Sequence, residues 1–440
     1  MRINYFFVFS ILVVVASIFT QSIAILVMSA IMMVMTAFFL KNHHPQEVRL
    51  YLIVFAVAVG FMLLVHYANI QAYDVPYYKS GSDDLQFERD ALKAMLNDTY
   101  MPNQLLGTVL DQFHNASIYV TYIALIMKFA TWFDGYSTFL PKMMNVFFLL
   151  WLTMLISYIL RKYVYFTDKK ILWFIALFAM TPNILYINSH VFRDTLNMLQ
   201  IMLIVFCIDK LFVKKWGILQ VIILLCMPVL IFTTFYLREN SLVFAAIMSI
   251  LILLRKLNIR YFYIILLNIP LLIFTSFLEQ IRFQYFFEKY SEYQTIISSG
   301  LSNLIFEQPL FPFGVFLRFG YAFISPFPNF PGLFRVVDQA GLDWIYFFIY
   351  LFVVVQILCI PWMFKRLLTI DWLTLSFIFL LFGVILTTFT FRHVIFYYPF
   401  MVALAVDGYT RVKPDQRWIS VLLMLTAIVG MFFLYVQLKS

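Results

Sequence analysis

Apolar runs near the length of a membrane crossing recur along the whole chain, broken by short polar loops. Crossing about 30 Å of hydrocarbon takes roughly 20 helical residues. On that measure the pattern predicts thirteen spans, near 5–20, 23–40, 50–68, 139–160, 171–189, 195–212, 217–236, 241–254, 261–278, 343–364, 371–390, 394–409 and 418–437. The first run passes straight into a second, so it reads as a span and not as a cleaved leader. Two long connections remain, 69–138 and 279–342. Each holds an apolar stretch that a polar residue spoils as a simple span: 116–133 with Lys128, and 310–330 with Arg318, Pro312, Pro326 and Pro328. These read as re-entrant or interfacial helices, and the aromatic 281–293 stretch as a further interfacial helix. The expected fold is an all-α polytopic transmembrane bundle, one domain over 1–440, carrying two long outer loops.

Charge then gives the bundle an orientation. One set of short loops is basic: Lys41 and Arg49; Arg161, Lys162, Lys169 and Lys170; Lys210, Lys214 and Lys215; Arg255, Lys256 and Arg260; Lys365 and Arg366; Arg411, Lys413 and Arg417. The positive-inside rule puts these loops and the N-terminus in the cytoplasm. The first long loop, with Asp74, Asp83, Asp84, Glu88, Asp90, Asp98, Asp111 and Asp134, falls outside. The composition, 63% hydrophobic with 12% charged residues, excludes an ordinary soluble domain. The net charge of +9 is spread over these loops, which argues against a nucleic-acid partner and for the bilayer. The three cysteines (Cys207, Cys226 and Cys359) lie in apolar runs without metal or disulfide spacing, and no internal repeat is evident.

Candidate chemistry gathers on the outer side. "GSDDLQFERDALKAML" opens a helix at an acid pair, Asp83 and Asp84, with Leu85, Ala91, Leu92, Met95 and Leu96 as its expected apolar stripe. Asp83 with Gln86 can form a capping box, which explains one aspartate and not the second. The functional reading is a carboxylate held at a helix start as general base or metal contact. The outer turns "NSHVFRDTL", "FYLRENS" and "FTFRHVI" each carry an arginine: Arg193, Arg238 and Arg392. Guanidinium forks grip phosphate, so the three together suggest an anionic substrate. Asp194, Glu239, His190, His393 and Arg318 stand beside them as supporting candidates. His66 either lines the same region or pairs inside the bundle.

The helix-start acid pair after "GS", with Phe87 and Ala91 following, resembles the GT-C superfamily of lipid-dependent membrane glycosyltransferases. "SHVFRDTLNMLQIML", "FRHVIFYYPFMVALA" with Pro399, and "ISPFPNF" resemble segments of surface-polysaccharide proteins, the last one the proline-rich loop of Wzy-like polymerases. The acidic loop here follows the third span and not the first, which favours a polymerase-like member over a monosaccharide transferase. The resemblance implies an enzyme of the bacterial inner membrane with its active face outside, using a polyprenyl-(di)phosphate sugar donor and a growing O-antigen, capsule or exopolysaccharide acceptor. It assigns the base or metal contact to Asp83 or Asp84 and phosphate binding to Arg193, Arg238 and Arg392. It leaves room for a divalent ion, Mg or Mn, and for other polysaccharide-assembly proteins as partners. A flippase of lipid-linked oligosaccharide is the alternative.

Overall fold

The computed structural model of the chain describes residues 2–41, 43–81, 83–110, 116–213, 217–257, 305, 308, 314–326, 329–386 and 391–439. The expected span at 261–278, the 281–293 stretch, Asp111, Lys214, Lys215, Arg260, Pro312 and Pro328 lie outside them. The regular structure is helical: α1 (Arg2–Thr20), α2 (Ile23–Leu40), α3 (Pro45–Tyr73), α4 (Asp83–Leu96), α5 (Pro102–Leu105), α6 (Ser117–Ala130), α7 (Phe139–Tyr163), α8 (Asp168–Ala179), α9 (Pro182–Asn188), α10 (Asp194–Leu211), α11 (Ile218–Leu237), α12 (Glu239–Lys256), α13 (Val315–Ile324), α14 (Ala340–Leu367), α15 (Trp372–Leu386), α16 (Val394–Arg411) and α17 (Pro414–Lys439). Among the described residues five helices are long and apolar enough to cross a membrane, or six if α8 and α9 count as one broken span. The expected span 171–189 is that broken pair, bent by 57°. Pro182 starts α9, where a missing N–H and a fixed φ suit a new helix better than a continued one.

The chain divides into two compact units: Met1–Lys162, Phe166–Ala246 and Phe330–Ile349 in the first, and Tyr163–Tyr165, Ile247–Asn329 and Tyr350–Ser440 in the second. In the first unit α7 is the buried core and α3 runs antiparallel beside it. Glu47 meets Arg161, Tyr51 meets Ser157, Phe55 stacks near Phe147, and His66 meets Lys142. At 1.5 Å per residue, Glu47 and His66 stand about 28 Å apart along α3. That is the thickness of a hydrocarbon core, so the polar contacts bracket an apolar helix pair of membrane depth.

The bracketing sorts the loops by side. Arg161 also pairs with Asp168 at 2.9 Å, and Lys162 pairs with buried Asp209 at 2.7 Å, which gathers the basic loops of this unit at one end. At the α1–α2 turn, Asp134 of the long loop accepts from the Ile23 N–H at 2.5 Å and the Ala24 N–H at 3.1 Å. The long loop therefore folds back over the turn that the sequence places on its own side. Within that loop α6 has 14 residues, too few to span alone, and packs on α4. Lys128 lies 3.5 Å from Asp98, both exposed, a surface pair of little energetic weight.

In the second unit α15 packs on α16 and on α13. Arg366, 1% exposed, is held by Asp407 and Asp371, and Arg411 reaches Asp407 at 2.8 Å. Here too the predicted basic loops share an end. Gly408 lies against the Trp362 carbonyl, where any Cβ would clash with backbone, whereas Gly430 has open space around it. Gly408→Ala is expected to cost about 1–3 kcal/mol through overpacking, and Gly430→Ala to cost nothing. Thermal unfolding of the purified variants checks this, and equal midpoints for Gly408→Ala and wild type would contradict the close approach.

Candidate functional site

The acid pair separates on folding. Asp83 is half-buried, while Asp84, one residue on, is 0% exposed. Gly81 makes the turn that delivers it: φ is +105°, and a Cβ there would run into Leu85. Asp84 Oδ2 accepts the Tyr78 N–H at 2.8 Å, and Oδ1 lies 3.0 Å from the Leu85 N–H. The Gln86 side-chain N–H donates to Asp90 at 2.9 Å.

The buried face of α4 also differs from the expected stripe. Leu92 and Leu96 are exposed, and Phe87, Ala91 and Ala94 are buried together with Asp84 and Glu88. Of the expected stripe, Ala91 is buried and Met95 partly buried, whereas Leu92 and Leu96 are not, and acids share the buried face. Phe87, Ala91 and Ala94 join Tyr119, Val120, Ile123, Ala124 and Met127 in an apolar cluster that includes Val191 and Leu237. Val191 precedes Arg193, and Leu237 precedes Arg238. One cluster thus fixes α4 against both arginine turns.

Around Asp84 the unit assembles a polar group in which Glu88 and Lys142 join the sequence candidates His190 and His66. Glu88, one turn along α4, accepts from the Tyr77 hydroxyl at 2.6 Å, the Tyr136 hydroxyl at 2.6 Å and the Thr138 hydroxyl at 3.2 Å. His190 Nδ1 lies 3.8 Å from Asp84 Oδ2, with both residues fully buried. The rings of Tyr78, Tyr186 and Phe192 pack around the imidazole, with centroids 4.8–5.4 Å from it. Lys142, also fully buried, donates to the Pro76 carbonyl at 2.8 Å and lies 3.3 Å from His66 Nδ1. His66 stacks on Phe139, so of its two sequence readings the pairing inside the bundle is the one observed. Lys142 was detectable: a lysine in the first turn of an apolar span, on the side where basic residues are scarce.

Burial raises the Asp84 carboxyl to about 6 against the pull of the Tyr78 N–H and the Lys142 charge. Burial raises Glu88 as well, while its tyrosine partners and Lys142 pull it back. Two of the three arginines come together in this unit. Arg193 Nη1 donates to the Leu237 carbonyl at 3.0 Å, and its guanidinium lies 5.9 Å from the Phe87 ring. Arg238 Nη1 lies 3.7 Å from Asp194 Oδ1. Each turn is thus stitched to the other. Arg392, His393 and Arg318 belong to the second unit, where the Tyr397 hydroxyl donates to the Ala322 carbonyl at 2.8 Å and ties their two helices, α16 and α13. His393 and Arg318 are buried and Arg392 is half-buried. The Glu239 side chain lies outside the described residues.

Among the described residues no group of three or more His, Cys, Asp or Glu is placed to hold a metal ion. The fold and site define a helical protein with several apolar helices of membrane-crossing length and a buried acid–base group at one end of a spanning pair. No protein-family model, curated protein or solved structure matches the chain.

Glu88 is expected to hold the 76–78 segment in place. Glu88→Gln should destabilise the fold by about 1.5–3 kcal/mol, the range for hydrogen bonds to a charged group, and Tyr136→Phe by about 1 kcal/mol. Hydrogen exchange at residues 76–80 should quicken in both. Unchanged exchange in Glu88→Gln would contradict this role.

Proposed function

We propose that the protein is a polytopic glycosyltransferase of the bacterial inner membrane that polymerises or extends a surface polysaccharide from a polyprenyl-(di)phosphate donor. The topology that goes with this reading has thirteen spans, a cytoplasmic N-terminus, and the 69–138 and 279–342 loops outside. The observation that carries it is Asp84: a buried carboxyl at a helix start, raised to about 6, beside His190 and at the polar end of the α3–α7 pair. A base whose pKa lies just below neutral pH is both ionised and able to take a proton.

In the proposed reaction the acceptor hydroxyl attacks the anomeric carbon of the donor sugar. A new C–O bond forms as the bond from that carbon to the phosphate oxygen breaks. The hydroxyl proton passes to Asp84, with His190 beside it to share the charge. The leaving polyprenyl-(di)phosphate takes the bonding pair, and its charge is stabilised by guanidinium groups. Arg193 and Arg238 are assigned this part because they hold the turns packed against α4. Arg392 belongs to the second unit and is given no part at this site.

The buried Lys142–His66 pair inside spanning helices favours a second reading, a transporter of lipid-linked oligosaccharide, since ionisable groups within a membrane bundle commonly mark transport paths. A transporter makes no new glycosidic bond. Purified protein given lipid-linked repeat units should yield longer glycans, and Asp84→Asn should lower that rate at least about a hundredfold. Asp83→Asn should stay near wild type. The wild-type rate should fall as pH drops through about 6, where Asp84 takes up its proton. Full activity in Asp84→Asn would sink the assignment. Orientation is checked separately: a cysteine at exposed Asn97 should react with an impermeant thiol reagent in intact spheroplasts, and labelling only after lysis would invert the topology.

A further inference from the structure

Lysine is among the residues least often buried, and a first-turn position sets its charge against the positive end of the helix dipole. Lys142 combines both disadvantages at 0% exposure. Such a group persists when anionic or carbonyl partners surround it. Its direct partners are the Pro76 carbonyl and His66 Nδ1. The segment it grips does the rest. Pro76 is followed by Tyr77, whose hydroxyl binds Glu88, and by Tyr78, whose N–H binds Asp84. Three consecutive residues are therefore tied to α7 and twice to α4.

We infer that Lys142 is a positioning residue for Asp84: it holds segment 76–78 through the Pro76 carbonyl, sets the Tyr78 N–H against the carboxylate, and stands as the buried counter-charge of the acid group. The inference rests on Asp84 as the reacting carboxylate. The charged and titratable groups that face Asp84 come from several neighbouring elements: Glu88 on α4, Tyr119 on α6, Lys142 on α7, Tyr77 and Tyr78 before α4, and His190 after α9. Of these, Lys142 supplies the positive charge that favours ionised Asp84. Removing it leaves burial and Glu88, which both favour the neutral acid, so the carboxyl must titrate at higher pH.

The test is an infrared titration of the purified full-length protein, with Asp84→Asn identifying the Asp84 carboxyl band. Lys142→Gln keeps a donor for the Pro76 carbonyl but drops the charge, and Lys142→Met drops both. Both should move the Asp84 midpoint upward by about one pH unit or more, and Lys142→Arg should stay near wild type. In addition, Lys142→Met should quicken hydrogen exchange at the Tyr78 amide. An Asp84 midpoint in Lys142→Gln equal to that of wild type would overturn the proposal. Should the single variants fail to accumulate, Asp84→Asn/Lys142→Met decides. Recovered accumulation supports a paired charge, and no recovery counts against it. The readout involves no sugar. Absent glycan synthesis with an intact Lys142-dependent midpoint would sink the enzyme reading alone.

Discussion

A carboxylate taken out of water costs several kcal/mol unless dipoles and counter-charge surround it, and Asp84 is wholly buried in the first unit. The surrounding structure meets that constraint. The Tyr78 N–H, the start of α4, His190 and Lys142 come from four separate segments and converge on Asp84. Gly81 turns the chain so that the acid faces inward, and Glu88 clamps the same segment one turn further on through Tyr77. Dissolve the acid group and the 76–81 segment loses its contacts.

The α3–α7 pair gives the site its place. Their polar contacts stand at two ends about 28 Å apart, with the Glu47–Arg161 pair at one and the Lys142–His66 pair at the other. The acid group thus sits at the depth where a lipid-linked phosphate meets water, if the helices cross a bilayer as their length and hydropathy allow. The apolar cluster of α4 and α6 then locks the two arginine turns to the same end.

The helical class, the sharing of ends by the basic loops within each unit, and the helix start at the acid pair were legible in the chain. Apolar run length and loop charge are local signals, and they survive folding unchanged. Which aspartate is buried was not legible, because Asp83 and Asp84 differ by about 100° around a helix and the apolar stripe matched the buried face only in part. Leu92 and Leu96 mislead there: they are exposed, while small Ala91 and Ala94 pack. Glu88 read as one loop acid among eight, since its tyrosine and threonine partners are up to 50 residues distant. Lys142 carried a signal, a lone lysine at the outer end of an apolar run, that the loop-charge pattern passed over. The straight span expected at 171–189 overlooked what Pro182 does to a helix, although the proline was in plain sight.

In the proposed reaction a buried carboxylate, a neighbouring imidazole and two arginine turns would displace a phosphate from a sugar, and the lipid tail of such a donor would lie against the apolar helices. The most direct measurement is photolabelling of the purified protein with a polyprenyl diphosphate carrying a photoreactive group near the phosphate, followed by peptide mapping. A phosphate site at Asp84 and the arginine turns predicts label in residues 76–90, 190–194 and 236–240, reduced by unlabelled donor. Label confined to the exposed apolar face of α11, or unaffected by competing donor, would contradict it.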